Sequence, residues 1–253
     1  YRFGLDGMVY EFTDRGKVVE QATDTPLKVL DELDDTGFYR SYSRESQSNV
    51  QGASMMLGYK GVVYYSSTLA KSMIDFYREM GLSSWSLVRA RGFDTRGFLD
   101  ALACIKYQVP GSDSDSEIPY GYEKVKEVLR DDVYYTIYEN QNVLPLGYGY
   151  DKVISREELD QLDTAERQEA ILQAAVVDEV MPQDQTADMD ELTISGQEVP
   201  VKKIECSDGI TFDGSQIQVK KKDAVMTIWF DGLDQSETYI NLESLRMNGS
   251  RKV

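Results

Sequence analysis

Two pairs of adjacent carboxylates, Asp131-Asp132 and Glu157-Glu158, are the first residues whose types could do chemistry. Glycoside hydrolysis uses two carboxyl groups that face each other across a cleft. Neighbouring residues on a helix point in different directions, so Glu157-Glu158 fits the start of a helix better than a catalytic pair. Asp131-Asp132 reads as a turn. A third acidic group, Ser112-Asp113-Ser114-Asp115-Ser116-Glu117, offers weak Ca²⁺ ligation. It lacks the glycine and the distal glutamate of an EF-hand loop and reads as a solvated loop. The chain has no histidine. That removes the commonest general base and metal ligand, and it excludes a Ser-His-Asp or Cys-His centre built from this chain alone. No catalytic residue, no metal site and no cofactor is expected.

Cys104 and Cys206 lie far apart and form no metal-binding spacing. Cys104 sits in an apolar stretch and reads as a core residue, and two unrelated buried thiols are the simpler case against a disulfide. The 17 tyrosines and the tryptophans Trp85 and Trp229 supply flat apolar faces of the kind that stack on sugars. The competing reading is that Tyr64, Tyr65, Tyr135, Tyr138 and Trp229 pack in sheets. Asn248-Gly249-Ser250 matches a glycosylation sequon by chance or as a turn. The glycines are scattered and form no phosphate-binding loop.

Composition narrows the partners. A net charge of −17 repels phosphate backbones and bare anionic lipid, so nucleic acid is not an expected ligand. Hydrophobic residues make up 41% of the chain, enough for a core. No run approaches the ~18 apolar residues that cross a bilayer. The chain begins at Tyr1 and shows no signal peptide, which reads as processed or as cut from something longer.

The elements that must position these residues are legible in the pattern. Thr25-Pro26 opens a helix through Leu27, Leu30 and Leu33 that stops by Gly37. Residues 38–42 form a strand. Ser67 or Thr68 caps a helix carrying Leu69, Met73, Phe76, Tyr77 and Met80, which Gly81 ends. A third helix follows Asp94-Thr95 and leads into a strand from Ile105 to Val109. Residues 132–139 alternate as a strand. Ser155 and Glu158 make a capping box, and Thr164 opens a further helix.

From Gln168 to Val201 there are eight acids and no lysine or arginine, and residues 181–188 read as a linker. Beyond residue 190 the period changes to two. Strands are expected at Ile204, 210–212, 217–219, 225–230 and 239–245, with turns at Asp208-Gly209 and Asp213-Gly214. The expected class is α+β: a mixed α/β domain over residues 1–180, then a β-rich domain over 181–253 resembling part of a β-sandwich or jelly roll. With about five strands that sheet is incomplete, or it packs on the first domain.

Several segments, taken in order, resemble the YfhO family of bacterial integral-membrane proteins. They are Phe38-Tyr39-Arg40; Gly58-Tyr59-Lys60-Gly61 followed by Val63-Tyr64-Tyr65-Ser66-Ser67; Leu102 to Val109; Tyr138-Glu139-Asn140 leading to Leu144-Pro145-Leu146-Gly147-Tyr148; and the helix from Gln168 to Ala174. The resemblance covers about residues 38–180. Ala103-Cys104 departs from it where a Gly-Val pair is expected.

The resemblance implies a parent with many transmembrane helices, located in the bacterial cell membrane, with this chain on the extracytoplasmic face. Such proteins look like GT-C glycosyltransferases, which move sugar from a polyprenyl-phosphate donor to cell-envelope polymers such as teichoic acid. Their catalytic acids are expected on an outer loop that matches nothing here, so no catalytic residue carries over. The chain is then a non-catalytic accessory domain. Its partners are the transmembrane part of its own parent and a cell-envelope glycopolymer. Tyr64, Ser66, Ser67 and Asn140 are the docking candidates. Against this, Ser66 and Ser67 can serve only as caps, Asn140 as a turn residue and Tyr64 as core. The alternatives are a secreted glycan-binding or glycan-hydrolysing protein and a plain adhesive or scaffolding module.

Overall fold

A computed structural model describes residues 17, 19, 23–44, 53–83, 85–111, 118–179 and 192–240. The acidic loop 112–117, the expected linker 181–188, most of the expected strand 239–245 and the sequon at 248–250 lie outside these residues. The chain divides into two compact units, Tyr1–Ile194 and Ser195–Val253.

Residues Pro26–Glu32 of the first unit form a 3-10 helix, where an α-helix was expected. Leu27 and Leu30 are three residues apart, which is the 3-10 period, and both are buried. Thr25 caps it by accepting from the Leu27 amide at 3.3 Å. Then come β1 (Arg40–Tyr42), α1 (Ala53–Leu57), β2 (Val63–Tyr65), α2 (Lys71–Glu79), β3 (Trp85–Ser86), β4 (Arg89–Arg91), α3 (Gly97–Leu102) and β5 (Ile105–Gln108). The hairpin β6 (Tyr122–Arg130) and β7 (Val133–Asn140) follows, and β8 (Val153–Ser155), α4 (Arg156–Gln161), α5 (Thr164–Gln173) and β9 (Ala175–Val177) complete the unit.

Strands β1, β5, β7 and β6 form one sheet in that order, with β1 and β5 parallel and the other pairs antiparallel. The β6–β7 turn is Asp131-Asp132, both left-handed (φ 53° and 62°), a two-residue loop whose twist suits a hairpin. The 3-10 helix covers this sheet through Leu27, Val29 and Leu30 against Val128 and Ile137. Its ends are tied down by Lys28 to Asp131 at 2.8 Å and Arg130 to Asp31 at 2.9 Å. A second sheet runs β2-β4-β3, and β8 pairs with β9 in parallel. The largest core joins the helices to these strands through Tyr77, Met80, Leu99, Ile154, Leu159 and Ile171.

Helix capping departs from expectation in two places. At α2 the N-cap is Ala70, with no side-chain cap. Ser66 instead closes a turn on itself, its hydroxyl accepting from the Thr68 amide and donating to the Thr68 carbonyl. At α5 the cap is Asp163 with Glu166, one residue before the expected Thr164. The Ser155–Glu158 capping box forms as expected. Leu192 and Ile194 pack into the largest core, which carries the first unit past the expected boundary near residue 180.

The second unit contains β10 (Val201–Cys206), β11 (Ile210–Phe212), β12 (Ile217–Val219) and β13 (Met226–Phe230). They form two separate antiparallel pairs, β10 with β13 and β11 with β12. Asp208-Gly209 and Asp213-Gly214 are turns, with both glycines left-handed (φ 101° and 96°). No described residue from Ser195 to Ile240 is buried, so among the described residues these pairs form no sandwich core. Tyr239 and Ile240 are not in a strand. The two cysteines are not bonded; Cys104 is buried, whereas Cys206 is exposed and not the second buried thiol expected.

Candidate functional site

The first unit carries an apolar groove of about 340 Å³ on the faces of α2 and α3. Met73, Phe76 and Tyr77 come from α2, Leu99 and Leu102 from α3, and Phe93 from the segment before α3. The spacing of three and four along α2 puts its three residues on one side of the helix. Tyr77 and Phe93 lie 5.8 Å apart between ring centroids and Phe76 and Phe93 6.3 Å, so the aromatics brace one another. The Tyr77 hydroxyl is buried and has no hydrogen-bond partner among the described residues. Burial pushes its phenol ionisation well up, so Tyr77 stays neutral. Ser72 and Tyr148 supply the polar groups at the groove.

Three of the four docking candidates lie around the approach to α2. Tyr64, on β2, directs its hydroxyl to the sulfur of Met73, a groove residue. Burial raises its phenol ionisation. Ser66 and Ser67 lie on the loop between β2 and α2, Ser66 half-buried and Ser67 exposed. Asn140 stands apart from them, at the end of β7 in the other sheet. It is 3% exposed, donates to the Ile105 carbonyl at 3.2 Å and accepts from the Asn142 amide at 2.9 Å. Its side chain is thus committed to shaping a turn. That turn sends the chain back to α3, where the Leu144 amide reaches the Ala101 carbonyl at 3.1 Å and Tyr148 arrives at the groove.

In the sequence, Met73, Phe76 and Tyr77 stand out only as a helical stripe at spacings of three and four, and Tyr148 is not among the docking candidates. The signal available for Tyr148 was its place at the end of the Leu-Pro-Leu-Gly-Tyr segment after Asn140.

The remaining polar clusters hold the fold together. Asp100, 2% exposed, accepts from Gln108 Nε2 at 2.6 Å and from the Tyr122 hydroxyl at 3.0 Å. Burial, then the Asp100 carboxylate, drives the Tyr122 phenol well above its usual range. Lys106 donates to Asp35 at 2.6 Å and lies 3.3 Å from Glu139. That hydrogen bond holds Asp35 below the usual carboxylate range and raises the Lys106 ammonium. Burial, assisted by Asp35, pushes Tyr107 to about 12.

One carboxylate of each adjacent pair is likewise committed. Glu158 closes the capping box, and Asp131 binds Lys28. Ser155 holds Glu158 below its ordinary range, and Lys28 does the same for Asp131. Among the described residues no group of three acidic or cysteine side chains is placed to hold a metal ion.

Comparison with known proteins bears on identity. The chain is 29% identical over 126 residues to the YfhO protein of Bacillus subtilis (strain 168). That match covers 49% of this chain and 14% of the relative's length. No solved structure matches. Among the described residues no helix is long and apolar enough to cross a membrane. The family model described as bacterial membrane protein YfhO matches residues 9–252, nearly the whole sequence, and the chain therefore belongs to the YfhO family of bacterial membrane proteins.

Proposed function

We propose that this chain is a non-catalytic extracytoplasmic domain of a multi-pass membrane glycosyltransferase. It assists transfer of sugar from a polyprenyl-phosphate donor to a cell-envelope polymer such as teichoic acid. The observation that carries this reading is membership of a membrane-protein family across residues 9–252, combined with a folded first unit whose described helices are all too short to cross a bilayer. The reacting groups are then housed in the rest of the parent. The groove beside α2 is the surface that holds the acceptor. Tyr148 offers a ring face for a sugar, and exposed Ser67, on the loop that Ser66 shapes ahead of α2, offers a hydroxyl. Tyr64 backs Met73, and Asn140 shapes its turn.

The test removes this domain from the full-length protein and measures hexose per phosphate in purified teichoic acid. The reading predicts a large fall in sugar content and no transferase activity from the isolated chain. Unchanged sugar content contradicts it. So does hydrolysis of chromogenic glycosides by the isolated chain, which supports a secreted hydrolase instead.

A further inference from the structure

Each strand pair of the second unit has one apolar face. In β10–β13 the directly paired residues Ile204 with Ile228 and Cys206 with Met226 share a face. The register shift between Val201 and Lys203 brings Val201 opposite Phe230 on that same face. Lys203 with Trp229 and Glu205 with Thr227 occupy the other side. In β11–β12, Ile210 with Val219 and Phe212 with Ile217 make a second apolar face. All of these residues are exposed or half-buried; Val201 is 53% exposed and Val219 64%. A two-stranded sheet does not stand alone in water, because it needs a further layer on its apolar side. The lysines on β10 are already matched: Lys202 pairs with Asp231 and Lys203 with Glu205. That leaves little positive charge for an anionic polymer or lipid, so the face suits an apolar polypeptide surface.

We infer that the apolar face of β10–β13 is a docking surface for another segment of the same parent polypeptide, outside residues 1–253. This rests on the proposed reading of the chain as part of a longer membrane protein. The relative's length says why the occupant is the parent and not a second copy. The matched stretch is only 14% of that protein, so a large remainder is covalently tethered nearby. A tether raises effective concentration far above that of a free second chain.

Cys206 lies on the face and is exposed, while Cys104 is buried, so the native thiols report on coverage. The experiment times labelling by a membrane-impermeant maleimide in two proteins, the 253-residue chain and the full-length protein in its membrane. The expected result is Cys206 labelling at least about tenfold slower in the full-length protein. Phe230→Glu restores fast labelling, and Thr227→Glu on the opposite side does not. Equal rates in the two proteins overturn the inference. Slow labelling of the isolated chain also overturns it, whether it grows with concentration, as a second copy requires, or persists at dilution, as self-coverage requires. A reading frame encoding nothing beyond this chain overturns it too. The sugar content of teichoic acid is a separate readout, so loss of the assisting role and loss of this docking contact are told apart.

Discussion

The two units of this chain use similar strand chemistry and arrive at opposite burial. In the first, Ile137 on β7 is fully buried, because the 3-10 helix lays Leu27, Val29 and Leu30 over its sheet. In the second, Ile228 on β13 has an apolar cross-strand partner, yet nothing described there is buried. Alternation along a strand therefore sets which side is apolar, while burial depends on a second layer. Helices and the 3-10 segment supply that layer in the first unit.

Core truncations separate the two units most. Leu99→Ala, at a position 1% exposed, is expected to cost about 2–5 kcal/mol. Ile228→Ala in the same isolated chain is expected to cost below about 1 kcal/mol. Urea titration followed by tryptophan fluorescence and circular dichroism reads both, and equal costs erase the distinction.

Next in size is Arg167→Ala. This guanidinium donates to the carbonyls of Leu159 at 3.1 Å, Glu79 at 3.1 Å and Asp160 at 2.9 Å, closing the ends of α2 and α4 around the core. Losing these bonds is expected to cost about 2 kcal/mol, with Arg167→Lys recovering only part, since a lysine cannot match the fork.

Asp35→Asn in the first unit is read out through pH, at an expected cost of about 1 kcal/mol near neutrality. Asp35 has a depressed folded pKa, so its contribution is present above the unfolded value of about 3.9 and is lost as pH falls through the folded value. Lys106 has a raised folded pKa, so its share is complete below about 10.4 and is lost as pH rises through the folded value. The gap between wild type and variant in thermal midpoint is therefore widest from about pH 5 to 10 and closes on both sides. A gap that persists unchanged at pH 2 contradicts the pairing.

The most local expected effect is Gly121→Ala, whose added carbon meets the Asn142 side chain at 2.6 Å with φ at +86°. It strains the turn that Asn140 shapes and is expected to cost about 1 kcal/mol while displacing Tyr148. Chemical shifts of the Tyr148 ring check it.

The sequence was most legible where a local rule is sufficient. The Ser155–Glu158 box, the strand after Ala103 and the Asp-Gly turns need only short-range chemistry. It was least legible where distant contacts decide. Strand β6 is polar along most of its length and is fixed by pairing with β7, so no apolar alternation announces it. Strands β3 and β4 are two and three residues long and exist through β2. The missing cap at α2 has the same origin: Ser66 spends its hydroxyl on a turn two residues away. At the groove, a stripe of Met73, Phe76 and Tyr77 has the same spacing whether it faces a core or a cavity. Asn140 shows the converse case, a docking candidate whose chemistry is consumed by the Ile105 carbonyl and the Asn142 amide.

Native-state hydrogen exchange on the isolated 253-residue chain tests most directly whether the first unit carries the core alone. Amides of Tyr107, Ile137 and Ile154 are expected to exchange only through global unfolding, and those of Ile204 and Ile228 through far easier local opening. Protection at Ile228 equal to that at Ile137 would contradict the account.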